Sequence, residues 1–179
     1  MFERFFARPL MKHHEKPGPL IFGFGNFSKS TFPKPDDFFA RLDPFLAALP
    51  EGFGYSVEIR NPEYLTPGYL DLLKSRNVAH VFNAWTRMPS LDDQAQLQDA
   101  FTADFTVVRD LLKWVRGYED VAKTFESYKE VQQPYEGARA GMLDIVGEAR
   151  KPKTSEFLFV NNRLEGNAPG TIEAVVGGL

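Results

Sequence analysis

The chain reads as an α/β protein built on a parallel sheet. Three observations predict this. Five short apolar runs with strand character are each followed by a stretch of helical periodicity, and such alternation produces parallel strands joined by right-handed crossovers. The length, 179 residues, suits one domain with a sizeable core. Phenylalanine is over-used, with 17 copies, as expected of side chains that fill layers between a sheet and its helices. No internal repeat and no low-complexity segment interrupts the pattern.

Met1 to Lys16 sets Arg4, Arg8 and Lys12 among Phe2, Phe5, Phe6, Leu10 and Met11, the pattern of an amphipathic helix. After Gly18-Pro19, residues 20–26 form the first predicted strand. Leu20, Phe22 and Phe24 share one face; Ile21, Gly23 and Gly25 share the other. Two glycines there leave backbone bare, either for a close neighbour or for a ligand. Pro35-Asp36-Asp37 opens a helix with Phe38, Phe39, Leu42, Phe45, Leu46 and Leu49 on its buried stripe. Pro44 should kink or restart it, and Pro50 and Gly52 end it. The second strand is Tyr55 to Arg60, stopped by Pro62, which cannot donate to a ladder. Thr66-Pro67 caps a helix that buries Tyr69, Leu70, Leu72 and Leu73, with Asn77 as its stop. Val78 to Asn83 is the third strand, running on into Ala84 and Trp85. A short helix spans 91–97, and 103–109 is the fourth strand. Gly117 marks a loop, and Tyr118, Val121, Ala122, Phe125 and Tyr128 form a helical stripe. After Pro134 a longer helix turns Ala138, Met142, Ile145, Val146 and Ala149 inward. The fifth strand covers 156–162, and a last helix from Asn167 carries Ile172, Val175 and Val176.

Composition narrows the function classes. The formal net charge of -3 gives no global support for binding nucleic acid through its phosphates. Residues 1–34 are locally basic, which reads as a wet helix face or, alternatively, as a surface for an acidic partner. Cysteine is absent, so disulfides and thiolate metal sites are excluded, and a reducing, cytoplasmic compartment fits. No apolar run approaches the ~20 residues that span a bilayer. His13 and His14 are adjacent, and His80 stands alone mid-strand, so no metal or other cofactor is expected. No Gly-rich phosphate loop and no serine elbow is present.

The chemistry concentrates on Tyr55-Ser56-Val57-Glu58-Ile59-Arg60-Asn61-Pro62. Alternation along a strand puts Ser56, Glu58 and Arg60 together on one face. A carboxylate and a guanidinium thus meet at the C-terminal end of a strand, where parallel α/β sheets bind ligands.

The same run is similar to the E-x-R strand of the domain-of-unknown-function 72 family, the YecE-like proteins. Gly18-Pro19-Leu20-Ile21-Phe22 resembles the strand before it, and Arg139 matches a position in the long helix. Phe159-Val160-Asn161-Asn162-Arg163-Leu164-Glu165-Gly166-Asn167-Ala168-Pro169 resembles the family's closing strand and helix. Members of the family are TIM-type (β/α) barrels of eight units. The resemblance therefore implies an incomplete barrel-type sheet: one partial domain over 1–179, with a leading helix and loop over 1–17 and five β/α units over 18–179. The strands would correspond to the fourth through eighth, with the first three units missing; a whole barrel usually takes ~250 residues. Gly23-Phe24-Gly25 departs from the Gln-x-Pro common in the family. The first and fifth strands would each lack a neighbour, so association through the exposed sheet edges is expected.

On a common rim these strands would gather Glu58, Arg60, Asn83, Arg109, Asn161, Asn162 and Arg163. Glu58 and Arg60 are the candidate catalytic pair, with Glu58 as acid/base. Arg60, Arg109 and Arg163 would clamp an anion through bidentate bonds, and Asn83, Asn161 and Asn162 would orient hydroxyls or a carbonyl. This reading gives an enzyme of hydrolase, lyase or isomerase type acting on a small anionic or sugar-like molecule. Three alternatives stand beside it. Glu58, Arg60 and Arg109 could form an ion-pair network plugging the interior while the asparagines cap helices. The domain could bind nucleic acid or another phosphate ligand, against its overall charge. Or the chain could be an inactive fragment of the full barrel.

Overall fold

The structure, a computed structural model, describes residues 17–85, 87–110, 127–150 and 155–179. The helix predicted over residues 1–16, with His13 and His14, falls outside the described residues, as do Gly117 and most of the helical stripe predicted from Tyr118 to Phe125.

Five strands form one sheet: β1 (Leu20–Gly23), β2 (Tyr55–Glu58), β3 (Ala79–Asn83), β4 (Phe105–Asp110) and β5 (Ser155–Val160). Their order in space is their order in sequence, and every neighbouring pair is parallel. The sheet curls into a half-barrel. Its two ends approach across the concave side, where a Cβ built on Gly18 would lie 3.6 Å from the Phe157 ring.

Between β1 and β2 runs α1 (Pro35–Ala47), and between β2 and β3 runs α2 (Pro67–Lys74). The short α3 (Leu91–Ala95) follows β3, and α4 (Glu136–Arg150) precedes β5. The chain closes with α5 (Asn162–Glu165) and α6 (Ala168–Val176). Side chains cap the starts of α2, α3 and α6; the sequence predicts the first and last of these, while the Ser90 cap is found only in the structure. Thr66 Oγ1 accepts from Tyr69 N at 3.3 Å, Ser90 Oγ from Asp93 N at 3.1 Å and Asn167 Oδ1 from Gly170 N at 2.7 Å. Asn77 ends α2 with φ at 51°, the left-handed conformation that asparagine tolerates.

Strand alternation divides the side chains into two layers. Outside the sheet, Val57 of β2 and Ile59 just after it pack with Phe38, Leu42 and Leu46 of α1 and Tyr69, Leu70 and Leu73 of α2. Farther along, Phe82 and Val108 pack with Leu91, Met142, Ile145 and Val175. The phenylalanines do fill the first of these layers. Phe24, Phe27, Phe32 and Phe38 meet ring to ring at 5.0–6.2 Å, and Tyr64 stacks on Phe38. On the concave side Ala79, Val81 and Val107 are packed by Ile21, Phe105 and Phe157. Nearer the C-terminal ends of the strands, that same face becomes polar.

Several expectations are corrected. α1 runs through Pro44 without a break. Pro44 stands in the helix's last turn, where little helix remains to kink. Phe45 is 37% exposed rather than buried, although its edge meets the Phe22 ring at 5.0 Å. β1 stops at Gly23 instead of continuing to Asn26, and β3 stops at Asn83 short of Trp85. β5 stops at Val160, because Asn161 caps the unforeseen helix α5. On α6 the inward residues are Thr171 and Val175. Ile172 and Val176 are 43% and 60% exposed and line a groove beside Leu158 and Val160 of β5.

Candidate functional site

Glu58 is the last residue of β2 and is fully buried on the concave side. Each carboxylate oxygen is committed to a different arginine. Oε1 accepts from Arg60 Nε at 3.4 Å, and Oε2 accepts from Arg109 Nη1. Arg109 comes from β4, two strands away, so the bond crosses over β3. The Arg60 guanidinium also lies 4.1 Å over the Trp85 ring, a cation–π contact that flattens it against the rim. Both arginine side chains keep about a quarter of their surface exposed, 28% and 27%, while Glu58 keeps none. Their remaining N–H groups have no partner among the described residues. The cluster is a buried anion under two cations, net +1, with donors turned outward.

Asn83 sits between them on β3, its Cα in register with Arg109. It is fully buried. Nδ2 donates to Ile59 O at 3.1 Å and Val81 O at 3.3 Å, which fixes the amide's orientation, and Oδ1 has no partner among the described residues. The Asn83 backbone is held by Gln94 of α3. Gln94 Oε1 accepts from Asn83 N at 3.2 Å, and Nε2 donates to Asn83 O at 2.8 Å. Gln94 thus continues the ladder with a side chain. The sequence does not single it out, because nothing local distinguishes it from the exposed polar residues around it.

Beside this cluster an open groove of about 410 Å³ lies between the two ends of the sheet, lined by Ile21, Gly23, Arg109, Phe159, Val160 and Asn161. A more enclosed cavity of about 330 Å³ lies between α3 and α4, against Ala84, Leu91, Tyr135 and Ala138, but none of the arginines lines it. Among the described residues no group of three or more His, Cys, Asp or Glu gathers in the manner of a metal site.

The model of the family described as protein of unknown function DUF72 matches residues 1–177. The chain belongs to this family. Among solved structures it is similar to a DUF72 family protein from Thermotoga maritima at 15% identity and a TM-score of 0.64. The match covers 96% of this chain and 61% of that one, so the chain spans less than two thirds of that protein's length. At such identity the likeness is one of fold. Among curated proteins no sequence matches.

The remaining predicted residues of this DUF72 chain stand apart from the buried pair. Asn161 Oδ1 caps α5 by accepting from Arg163 N at 2.9 Å. The exposed Asn162 accepts from Ala168 N through Oδ1 at 2.8 Å. Arg163 is half-buried on α5, and no bond joins it to Glu58. Of the seven residues, Glu58, Arg60, Asn83 and Arg109 come together; Asn161 borders the groove, while Asn162 and Arg163 serve the chain reversal after β5.

A second polar cluster lies behind the strand ends. Glu165 is fully buried and takes a fork from Arg139, with Nε to Oε1 at 2.9 Å and Nη2 to Oε2 at 2.8 Å. It also accepts from Tyr135 N at 2.5 Å and Thr171 Oγ1 at 2.8 Å. Burial pushes Glu165 up, but these bonds outweigh it and hold the carboxyl below its ordinary range. Asp110, at the end of β4, is fully buried, and neither carboxylate oxygen has a partner among the described residues. Burial, with the Glu165 charge adding to it, raises Asp110 to about 7. His80 is buried beside the Tyr69 hydroxyl, 3.4 Å from Nδ1, and burial lowers it to about 4, so it stays neutral. Buried Tyr69 is itself raised well above the ordinary tyrosine value by that burial and by the Glu58 charge, so its hydroxyl stays protonated and donates to Val57 O at 3.2 Å.

Proposed function

We propose that the mouth formed by Glu58, Arg60, Asn83 and Arg109 binds a small anionic ligand, and that the domain belongs to a barrel-type enzyme, of hydrolase, lyase or isomerase class, that works on it. One observation carries the reading: a fully buried carboxylate bridges two part-exposed arginines, and one of them, Arg109, lines an open groove. A cluster serving only to fill the interior would not leave cationic donors at the surface, because a buried polar network is stable when each member is satisfied. Glu58 orients the guanidiniums and offsets one of their charges. It becomes a proton carrier only when a ligand draws an arginine away from it. The position at the C-terminal ends of parallel strands supports the assignment.

Titration of acetate and inorganic phosphate into the chain tests it, followed by heteronuclear NMR. Binding that disappears in Arg109→Met is expected. Binding that persists undiminished in Arg60→Met and Arg109→Met would remove the site. In a full-length relative with a known turnover, Glu58→Gln should lower kcat; unchanged turnover would rule out Glu58 as acid/base.

We also read the half-barrel as five of eight units. The 61% coverage of the matched protein is close to five parts in eight, and an eight-stranded barrel is the usual closed form of such a sheet. The cysteine-free composition supports a cytoplasmic setting.

A further inference from the structure

We infer that the ligand is an amphipathic monocarboxylate, an aryl or branched alkyl acid, whose carboxylate meets Arg109 and whose apolar body lies over the bare backbone of Gly23 between Ile21 and Phe159. The inference rests on the anion reading above and adds the ligand's chemical class. Three features converge on it.

The first is charge. Two arginines over one carboxylate leave a single positive charge, which matches one negative charge better than the two of a phosphate monoester. The second is the lining. Beyond Arg109, the groove's polar side chain is Asn161. Its Oδ1 is spent on the α5 cap, and its Nδ2 has no partner among the described residues, so the amide can give a second donor to a carboxylate. A polyol would need several donors and acceptors here. The groove presents instead Ile21, Val160 and Phe159, whose 41% exposure is large for an aromatic ring. The ring belongs to the residue in register with Arg109 on the adjacent strand, so apolar surface and guanidinium lie side by side. A volume of about 410 Å³ is at the lower end of the range for small-molecule pockets.

The third is Gly23. Its φ is not in the left-handed region, so its backbone does not require glycine. Packing does not require it either. A Cβ there would meet only Glu58 Oε2, at an ordinary 3.8 Å. What the missing side chain does is keep the groove floor open beside Glu58 and Arg109.

The experiment titrates benzoate, acetate and inorganic phosphate separately into the chain at pH 7, read by NMR and calorimetry. Benzoate should bind about tenfold tighter than acetate, from the apolar area its ring removes from water, and tighter than phosphate. Arg109→Lys should weaken all three. Phe159→Ala should weaken benzoate about tenfold while leaving acetate unchanged. Gly23→Val should block benzoate and spare acetate. If circular dichroism shows Gly23→Val unfolded, Gly23→Ala, whose Cβ fits, takes its place and should weaken benzoate selectively. Phosphate binding equal to or tighter than benzoate, and lost in Arg109→Lys, overturns the ligand class and leaves the anion site standing. Equal benzoate affinity in the parent, Phe159→Ala and Gly23 variants also overturns it. No Arg109-dependent binding of any of the three removes both readings.

Discussion

Glu58 and Asp110 are both acidic residues buried at the C-terminal ends of strands, and they meet opposite fates. Glu58 faces the concave side, where two arginines arrive. Asp110 faces the helical layer, where its charged neighbour among the described residues is Glu165, itself held by Arg139. Burial therefore keeps Asp110 protonated up to about pH 7. A carboxyl whose folded pKa lies above its unfolded value of 3.8 binds more protons in the folded state between those values. The contribution of Asp110 to folding stability should accordingly fall as pH rises from about 4 to about 7 and level off above. Asp110→Asn should match the parent below pH 4 and exceed it at pH 8. Urea unfolding at both pH values measures the difference, and a parent that gains stability across that window relative to the variant would contradict it. The Glu58–Arg60 adjacency was legible in the sequence, since alternation along a strand is local. The raised pKa of Asp110 was not, because it comes from tertiary burial and from the charge of Glu165, 55 positions later.

The run from Asn161 to Asn167 shows how one element does several jobs with short-range bonds. Asn161, Asn162 and Asn167 each spend Oδ1 on a backbone N–H within six residues, which is what stops β5, forms α5 and starts α6. Gly166 takes φ at 104°, and a side chain there would press on Gln132 at 3.2 Å. Glu165 then ties the turn to the α4 start through Arg139 and Tyr135 N, while its backbone oxygen accepts from Gln132 N at 2.8 Å. The segment from Asn161 to Asn167 is thus a structural clasp. Glu165→Ala would leave the Arg139 guanidinium, only 17% exposed, without its carboxylate. A loss of about 3 kcal/mol is expected, at the lower end for a buried pair stripped of one partner. Amide exchange at Gln132, Gln133 and Tyr135 should rise with it. Unchanged protection there would show that the clasp does not hold the α4 start. The caps could be anticipated from residue type. The clasp could not, since Arg139 and Glu165 lie on different elements.

At the scale of the molecule, the sheet ends at β1 and β5, and neither has a second neighbour among the described strands. Ile172, Val176 and Leu179 leave 43%, 60% and 50% of their surface exposed along the β5 side, where a groove runs between Leu158, Val160 and α6. Unpaired backbone groups beside apolar surface favour contact with another chain. The 20.3 kDa chain should therefore run above its monomer mass in light scattering at micromolar concentration, and Ile172→Lys with Val176→Lys should lower that mass. A monodisperse particle of monomer mass that melts cooperatively would refute the expectation. Among the described residues no helix is long and apolar enough to cross a membrane.

The sequence by itself determined the five strands, their parallel order and the shared face of Glu58 and Arg60. Each follows from periodicity, capping and turn chemistry, which act over a few residues. Tertiary structure decided what Arg109 would pair with, which asparagines would cap rather than face the groove, and how far Ile172 and Val176 would remain outside the core. Those outcomes depend on how tightly the sheet curls and on where its last strand stands relative to its first, and no local pattern encodes a distance across the sheet.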